Sequence, residues 1–109
     1  MRGHTEVQRI ISQIVERLVR DYAPRKVILF GSHASGTSRE DSDIDLLIIK
    51  DTEKRPIERW MEVKRLLRDP DRPVAVSPLV YTPGELEERL RLKDFFLQEV
   101  LAQGEVLYG

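Results

Sequence analysis

The stretch VILFGSHASGTSREDSDIDLLII, residues 27–49, holds two apolar runs separated by a polar segment that opens with glycine and closes with alternating aspartates. Val27 to Phe30 is a short continuous apolar run ending at Gly31, the pattern of a strand covered on both faces. Ile44 to Ile49 is a second strand. Side chains alternate along a strand, so Asp43 and Asp45 share one face while Ile44, Leu46 and Ile48 share the other. Past Asp45 the first face turns apolar at Leu47 and Ile49. The strand therefore reads as central, with only its leading end open to water.

Outward from this pair, Val7, Ile10, Ile11, Ile14, Leu18 and Val19 recur at helical spacing from Thr5 onward. Thr5 with Gln8 reads as a capping box, and Pro24 closes the helix. After the charged residues Lys50 to Arg55, Pro56 suits the first turn of a helix carrying Ile57, Trp60, Met61, Val63 and Leu67 and ending before Pro70. Trp60 and Met61 read as core residues of that helix. A third strand, roughly Val74 to Tyr81, contains Pro78 and is either an edge strand or bulged. Thr82-Pro83-Gly84-Glu85 is a well-formed helix start. Asp94 caps a last helix through Phe95, Phe96, Val100 and Leu101 that Gly104 terminates. The pattern is α/β (α+β): a small mixed sheet with helices packed on it, one domain over residues 1–109.

The 109 residues carry 18 basic and 19 acidic side chains, a net charge of −1, so no overall field draws the chain to nucleic acid as a stable partner. The absence of cysteine removes disulfides, thiolate metal sites and cysteine nucleophiles. Apolar runs are too short for a membrane span and the first residues do not form a signal peptide, which points to a cytoplasmic protein.

Gly31 and Ser32 stand where a buried strand gives way to a short helical turn, so backbone N–H groups and the Ser32 hydroxyl can face an anion. An ordinary strand-to-turn glycine has the same local pattern, and the aspartates are what distinguish the two. Residues i and i+2 on a strand lie about 6 to 7 Å apart at Cα, close enough for both carboxylates to hold Mg²⁺. Without a cation they repel. Asp41, Asp43 and Asp45 also imitate the opening of a calcium-binding loop, but Leu46 and Thr52 occupy positions that such a loop reserves for glycine and glutamate. His33 adjoins the phosphate loop and is either solvated or part of the site, whereas His4 belongs to the chain's start. Arg65, Arg68 and Arg72 form a basic cluster that either is solvated or faces an acidic partner.

Gly31-Ser32, ten intervening residues and Asp43-Ile44-Asp45 resemble the signature of the DNA polymerase β-like nucleotidyltransferase superfamily, and in particular its minimal nucleotidyltransferase members. The flanking strands, Gly36, the Thr82-Pro83 helix start and Val106-Leu107-Tyr108 resemble that family too. The resemblance implies transfer of a nucleoside monophosphate, AMP from ATP, to a hydroxyl. It implies Gly31 and Ser32 on the triphosphate, and Asp43 and Asp45 on Mg²⁺ as the catalytic carboxylates. It further implies a small helical HEPN-type protein as partner, with Arg39, Glu40 and Lys50 to Arg55 as the rim of the contact. Two positions depart from the family. The third carboxylate expected on the strand Val74 to Tyr81 is missing, with Ala75 and Ser77 on the face where it belongs, and Ser35 stands where a basic residue is usual. Two readings follow: an active enzyme, or a weak or inactive nucleotide-binding module, antitoxin-like, that neutralises its partner.

Overall fold

The computed structural model describes residues 4–39 and 41–109, with side chains described from residue 6 onward. The elements run α1 (His4–Asp21), β1 (Lys26–Phe30), α2 (Ser32–Ser35), β2 (Ile44–Ile49), α3 (Pro56–Leu66), β3 (Val76–Tyr81), α4 (Pro83–Arg91), α5 (Phe95–Gln103) and β4 (Glu105–Tyr108). The capping box read at Thr5 and the site of Glu40 lie outside the described residues.

The strands form one mixed sheet in the order β3-β2-β1-β4. β1 lies antiparallel to both β2 and β4, and β2 runs parallel to β3. A parallel pair cannot be joined by a tight turn, and α3 supplies the crossover. β2 is central, as its composition requires. Its Ile44, Leu46 and Ile48 bury into one cluster with Ile14, Leu18 and Tyr22 of the first helical stretch and Val63 and Leu67 of the α3 stretch. Leu47 and Ile49 bury on the other face with Ile28, Leu97 and Val100, flanked by Leu86 and Leu90. Helices α1 and α3 thus cover one face of the sheet, and α4 and α5 cover the other.

Several ends follow the expected chemistry. α1 stops at Asp21, and Ala23 takes a left-handed φ of 54° as the chain turns before Pro24. β3 is an edge strand in unbroken register through Pro78, so the edge position and not a bulge accommodates the missing N–H. Thr82 and Glu85 form a reciprocal cap, with Thr82 N–H donating to Glu85 Oε1 at 2.8 Å and Glu85 N–H to Thr82 Oγ1 at 3.1 Å. Asp94 Oδ1 accepts from Leu97 N–H at 3.1 Å. A strand the helix-strand reading omitted, β4, follows Gly104 directly. A side chain at Gly104 would meet Ile28 Cγ2 at 2.7 Å, so the glycine lets α5 turn into the sheet edge.

The expectation for Trp60 and Met61 is corrected: they are 44% and 45% exposed. α3 faces the sheet through Arg59, Val63 and Leu66, which lie on one helical stripe, and Trp60 and Met61 are turned about 100° and 200° away from Arg59. Arg59, which no local pattern marks as internal, is 5% exposed. Its guanidinium donates to Glu85 Oε1 at 2.6 Å and Oε2 at 3.1 Å, to Lys54 O at 2.7 Å and to Val80 O at 3.3 Å. A planar fork with five donors is suited to such a junction. It ties α3 to the end of β3 and to the cap of α4.

This arginine and the cap hold the Glu85 carboxyl below the usual carboxylate range, chiefly through the Arg59 hydrogen bond. A depressed folded-state pKa contributes stability that is present above the unfolded value of about 4.3 and is lost as pH falls through the folded value. Glu85→Ala should therefore lower unfolding free energy at pH 7 by about 1–3 kcal/mol, and the difference from wild type should shrink below about pH 4. Urea titrations at pH 7 and pH 3.5 check both.

Candidate active site

The antiparallel register sets Phe30, the last residue of β1, opposite Asp45 on β2. The chain leaves β1 through Gly31 at φ 75°, ψ −155°, a conformation that L side chains rarely adopt, and enters the single turn of α2. The first N–H groups of a helical turn lack intrahelical partners, and no side chain caps them at Gly31. Gly31 is also the floor beneath the carboxylate: a Cβ built on it would fall on Asp45 Oδ2 and lie 3.1 Å from Asp45 Cγ. Gly31, Ser32 and Asp45 are thereby brought to one end of the sheet. Asp43 precedes β2 by one residue and is exposed, while Asp45 is half-buried.

The segment between the two halves is held by short-range bonds. Ala34 and Ser35 N–H groups donate to Gly31 O, each at 3.1 Å, and Gly36 ends the turn at a left-handed φ of 80°. Ser42 Oγ accepts from Arg39 N–H at 2.7 Å, shaping the approach to Asp43. His33, left open between solvation and a role, is half-buried, with Nε2 3.0 Å from Ser42 O. It fastens α2 to the residue before Asp43.

Asp45 carries the electrostatic signature of the site. Burial first, and the neighbouring Asp43 charge second, push its carboxyl above the usual range, and His33 opposes them. Both causes disfavour a second negative charge, and a cation reverses them. Among the described residues no group of three or more His, Cys, Asp or Glu is gathered. Two hard oxygen donors fit a Mg²⁺-type ion that keeps waters and takes its remaining ligands from phosphate oxygens.

The place for a third acid is visible in the register. Ser77 of β3 pairs with Asp45, and Ala75 precedes the strand with its carbonyl accepting from Ile44 N–H at 2.9 Å. A neutral hydroxyl stands beside the carboxylate. On the other side of Gly31, α2 and α5 enclose a cavity of about 490 Å³ lined by Phe30, Ser35, Phe96, Glu99 and Gln103 among others. Phe30 and Phe96 meet edge to face with ring centroids 5.6 Å apart. Of the rim residues named from sequence, Arg39 lies shortly before Asp43, whereas Lys50 to Arg55 follow the C-terminal end of β2, about 20 Å along the strand from Asp43.

Residues 11–102 match the nucleotidyltransferase domain family. The chain belongs to that family. A protein of Methanocaldococcus jannaschii that bears the provisional name of protein adenylyltransferase is 44% identical over 48 residues, which is 42% of this chain and 48% of the relative. The chain thus spans about half the length of that curated relative. A crystal structure from Sulfolobus solfataricus, of a protein provisionally named a nucleotidyltransferase, superposes with a TM-score of 0.60 at 26% identity, covering 78% of this chain and 75% of the other. The mixed sheet with helices on it is the fold of this nucleotidyltransferase domain.

Asp45 gives the arrangement a measurable cost. A carboxyl whose folded pKa is raised loses stability as pH climbs from its unfolded to its folded value, so at pH 7 the ionised group destabilises the metal-free protein. Asp45→Asn should raise metal-free stability at pH 7, and that advantage should vanish as pH falls below the usual carboxylate range. Gly31→Ala should do the opposite, lowering stability by about 1–3 kcal/mol through its left-handed backbone and the displaced carboxylate. Denaturant titrations in EDTA compare the three proteins directly.

Proposed function

We propose that this chain is a Mg²⁺-dependent nucleotidyltransferase that transfers AMP from ATP to a hydroxyl. The observation that supports this most is the meeting of Gly31, Ser32 and Asp45 at one sheet end, with a glycine floor under a carboxylate whose charge is uncompensated. The Gly31 backbone N–H and the Ser32 hydroxyl bind the triphosphate, and Asp43 and Asp45 are the metal ligands and catalytic carboxylates. A divalent cation held by Asp43 and Asp45 would supply the charge neutralisation that phosphoryl transfer needs. The acceptor oxygen bonds to the α-phosphorus, the bond from that phosphorus to the α,β-bridging oxygen breaks, and pyrophosphate departs. Ser77 takes no proton, so the hydroxyl proton leaves to water or to an ionised carboxylate that the acceptor brings.

The protein adenylyltransferase name of the Methanocaldococcus relative supports ATP as nucleotide and a protein side chain as acceptor. A HEPN-type helical partner, cytoplasmic like this chain, fits that reading and is proposed with it. Among the described residues no helix is long and apolar enough to cross a membrane. We take residues 1–109 as one nucleotidyltransferase domain. A second reading rests on Ser77: a general base is worth on the order of 10² to 10⁴ in rate, and a chain without one could keep nucleotide binding and act as an antitoxin-like module that neutralises its partner.

Asp43→Asn/Asp45→Asn should abolish Mg²⁺-dependent ATP binding by calorimetry with the fold intact by circular dichroism, and unchanged affinity would refute the site. Incubation with labelled ATP, Mg²⁺ and a helical partner separates the two readings. Ser77→Asp should raise label transfer by about tenfold or more if a missing base limits the rate. Wild-type turnover already in the usual range of about 1 to 10³ per second would show that no base is missing.

A further inference from the structure

On the face opposite α4 and α5, the end of α3 and the loop before β3 enclose a second concavity of about 530 Å³. Lys64, Arg65, Arg68 and Arg72 line it, and Asp69 is the one acid among its lining residues. Two of the cations are fixed from behind. Lys64 Nζ donates to Val76 O at 3.0 Å and Arg72 Nη1 to Leu67 O at 2.7 Å. Each keeps further donors, since an ammonium has three and a guanidinium five. Arg65 and Arg68 are exposed and make no ion pair among the described residues. Asp69 Oδ1 accepts from Asp71 N–H at 3.0 Å, and its single negative charge leaves the four cations in excess.

The pocket's place sets it apart from the carboxylates. Its floor is Val74 to Val76, and Val76 pairs with Ile44, the residue between Asp43 and Asp45. It therefore lies at the same sheet end as the carboxylates but on the opposite face, because Asp45 shares the face of Leu47 that α4 and α5 cover. Cations at a helix C-terminus also favour the helix dipole, but that effect needs neither a concavity nor two side chains anchored to backbone carbonyls.

We propose that Lys64, Arg65, Arg68 and Arg72 form an oxyanion pocket, separate from the transferase site, that takes a compact phosphate group. The pocket stands on its own geometry and does not depend on the transferase reading above. Four cations confined to residues 64–72 suit one or two phosphates and not the backbone of a long strand.

Trp60, the chain's one tryptophan, reports on the pocket because Lys64 Nζ lies 5.8 Å from its ring centroid. In Mg²⁺-free buffer, inorganic pyrophosphate should change Trp60 fluorescence saturably, and added salt should weaken the effect. Arg65→Gln/Arg68→Gln, at exposed positions, should weaken binding by about tenfold or more. Asp43→Asn/Asp45→Asn should leave it unchanged, which separates failure of this pocket from failure of the transferase site. Short 5′-phosphorylated oligonucleotides should bind with an affinity independent of length. The pocket is refuted if wild type shows no saturable binding or if the glutamine variant binds pyrophosphate as tightly as wild type. Affinity that climbs with oligonucleotide length overturns it in favour of a strand track.

Discussion

Everything at the candidate site depends on one carboxylate standing in a strand that is otherwise apolar on both faces. β2 is buried from Leu46 to Ile49, and Asp45 shares its face with Leu47. A charge there is expensive, and the fold meets the cost by geometry: the neighbouring strand ends opposite it at Phe30, and the next residue has no side chain. A larger residue at position 31 would displace the carboxylate, and a longer β1 would cover it. The end of one strand and the charge on the next are a single feature, and the turn α2 follows because the chain must leave the sheet at that point.

The opposite end of the sheet is organised around a different charge. Arg59 is buried but satisfied by a bidentate carboxylate and two carbonyls, so it closes α3, β3 and the start of α4 into one junction. The contrast with Asp45 is instructive. Glu85 is held below its ordinary pKa by a partner, whereas Asp45 is pushed above it by burial and a like charge. The first pattern stabilises the folded chain by itself. The second lowers stability until something positive arrives, and perturbed carboxylates of that kind gather at functional sites.

What could be read along the chain was what local periodicity and capping encode. The two strands around residues 31–43, the cap at Thr82 and Glu85, the cap at Asp94 and the edge position of the proline-bearing strand all follow from side chains within a few residues of one another. β4 escaped because four residues with no alternation are too short to signal a strand, and pairing with β1 decides the matter. Trp60 and Arg59 were exchanged for a related reason. Their helix offers two apolar stripes, and which one turns inward is fixed by Glu85, 26 residues away, whose bond to Arg59 no spacing reveals. Gly31 and Asp45 were legible as types, but their contact, the role of His33 at Ser42 and the anchoring of Lys64 and Arg72 are tertiary facts.

Under the proposed transferase reading, Ser77 bears on how the chain would divide labour with its acceptor. A third carboxylate in register with Asp45 would add like charge to a pair that already resists ionisation, raising the cost of the metal-free state further. With serine there, the site would carry only the charge that a cation and a triphosphate need, and proton removal would fall to the acceptor's side. Such a site is least able to act on an arbitrary hydroxyl, because water or a chance neighbour makes a poor base. It is best suited to an acceptor that brings an acid together with its hydroxyl. The neutral residue would then be a source of selectivity: the reaction would proceed when the correct partner completes the constellation, and nucleotide would otherwise be held without being consumed.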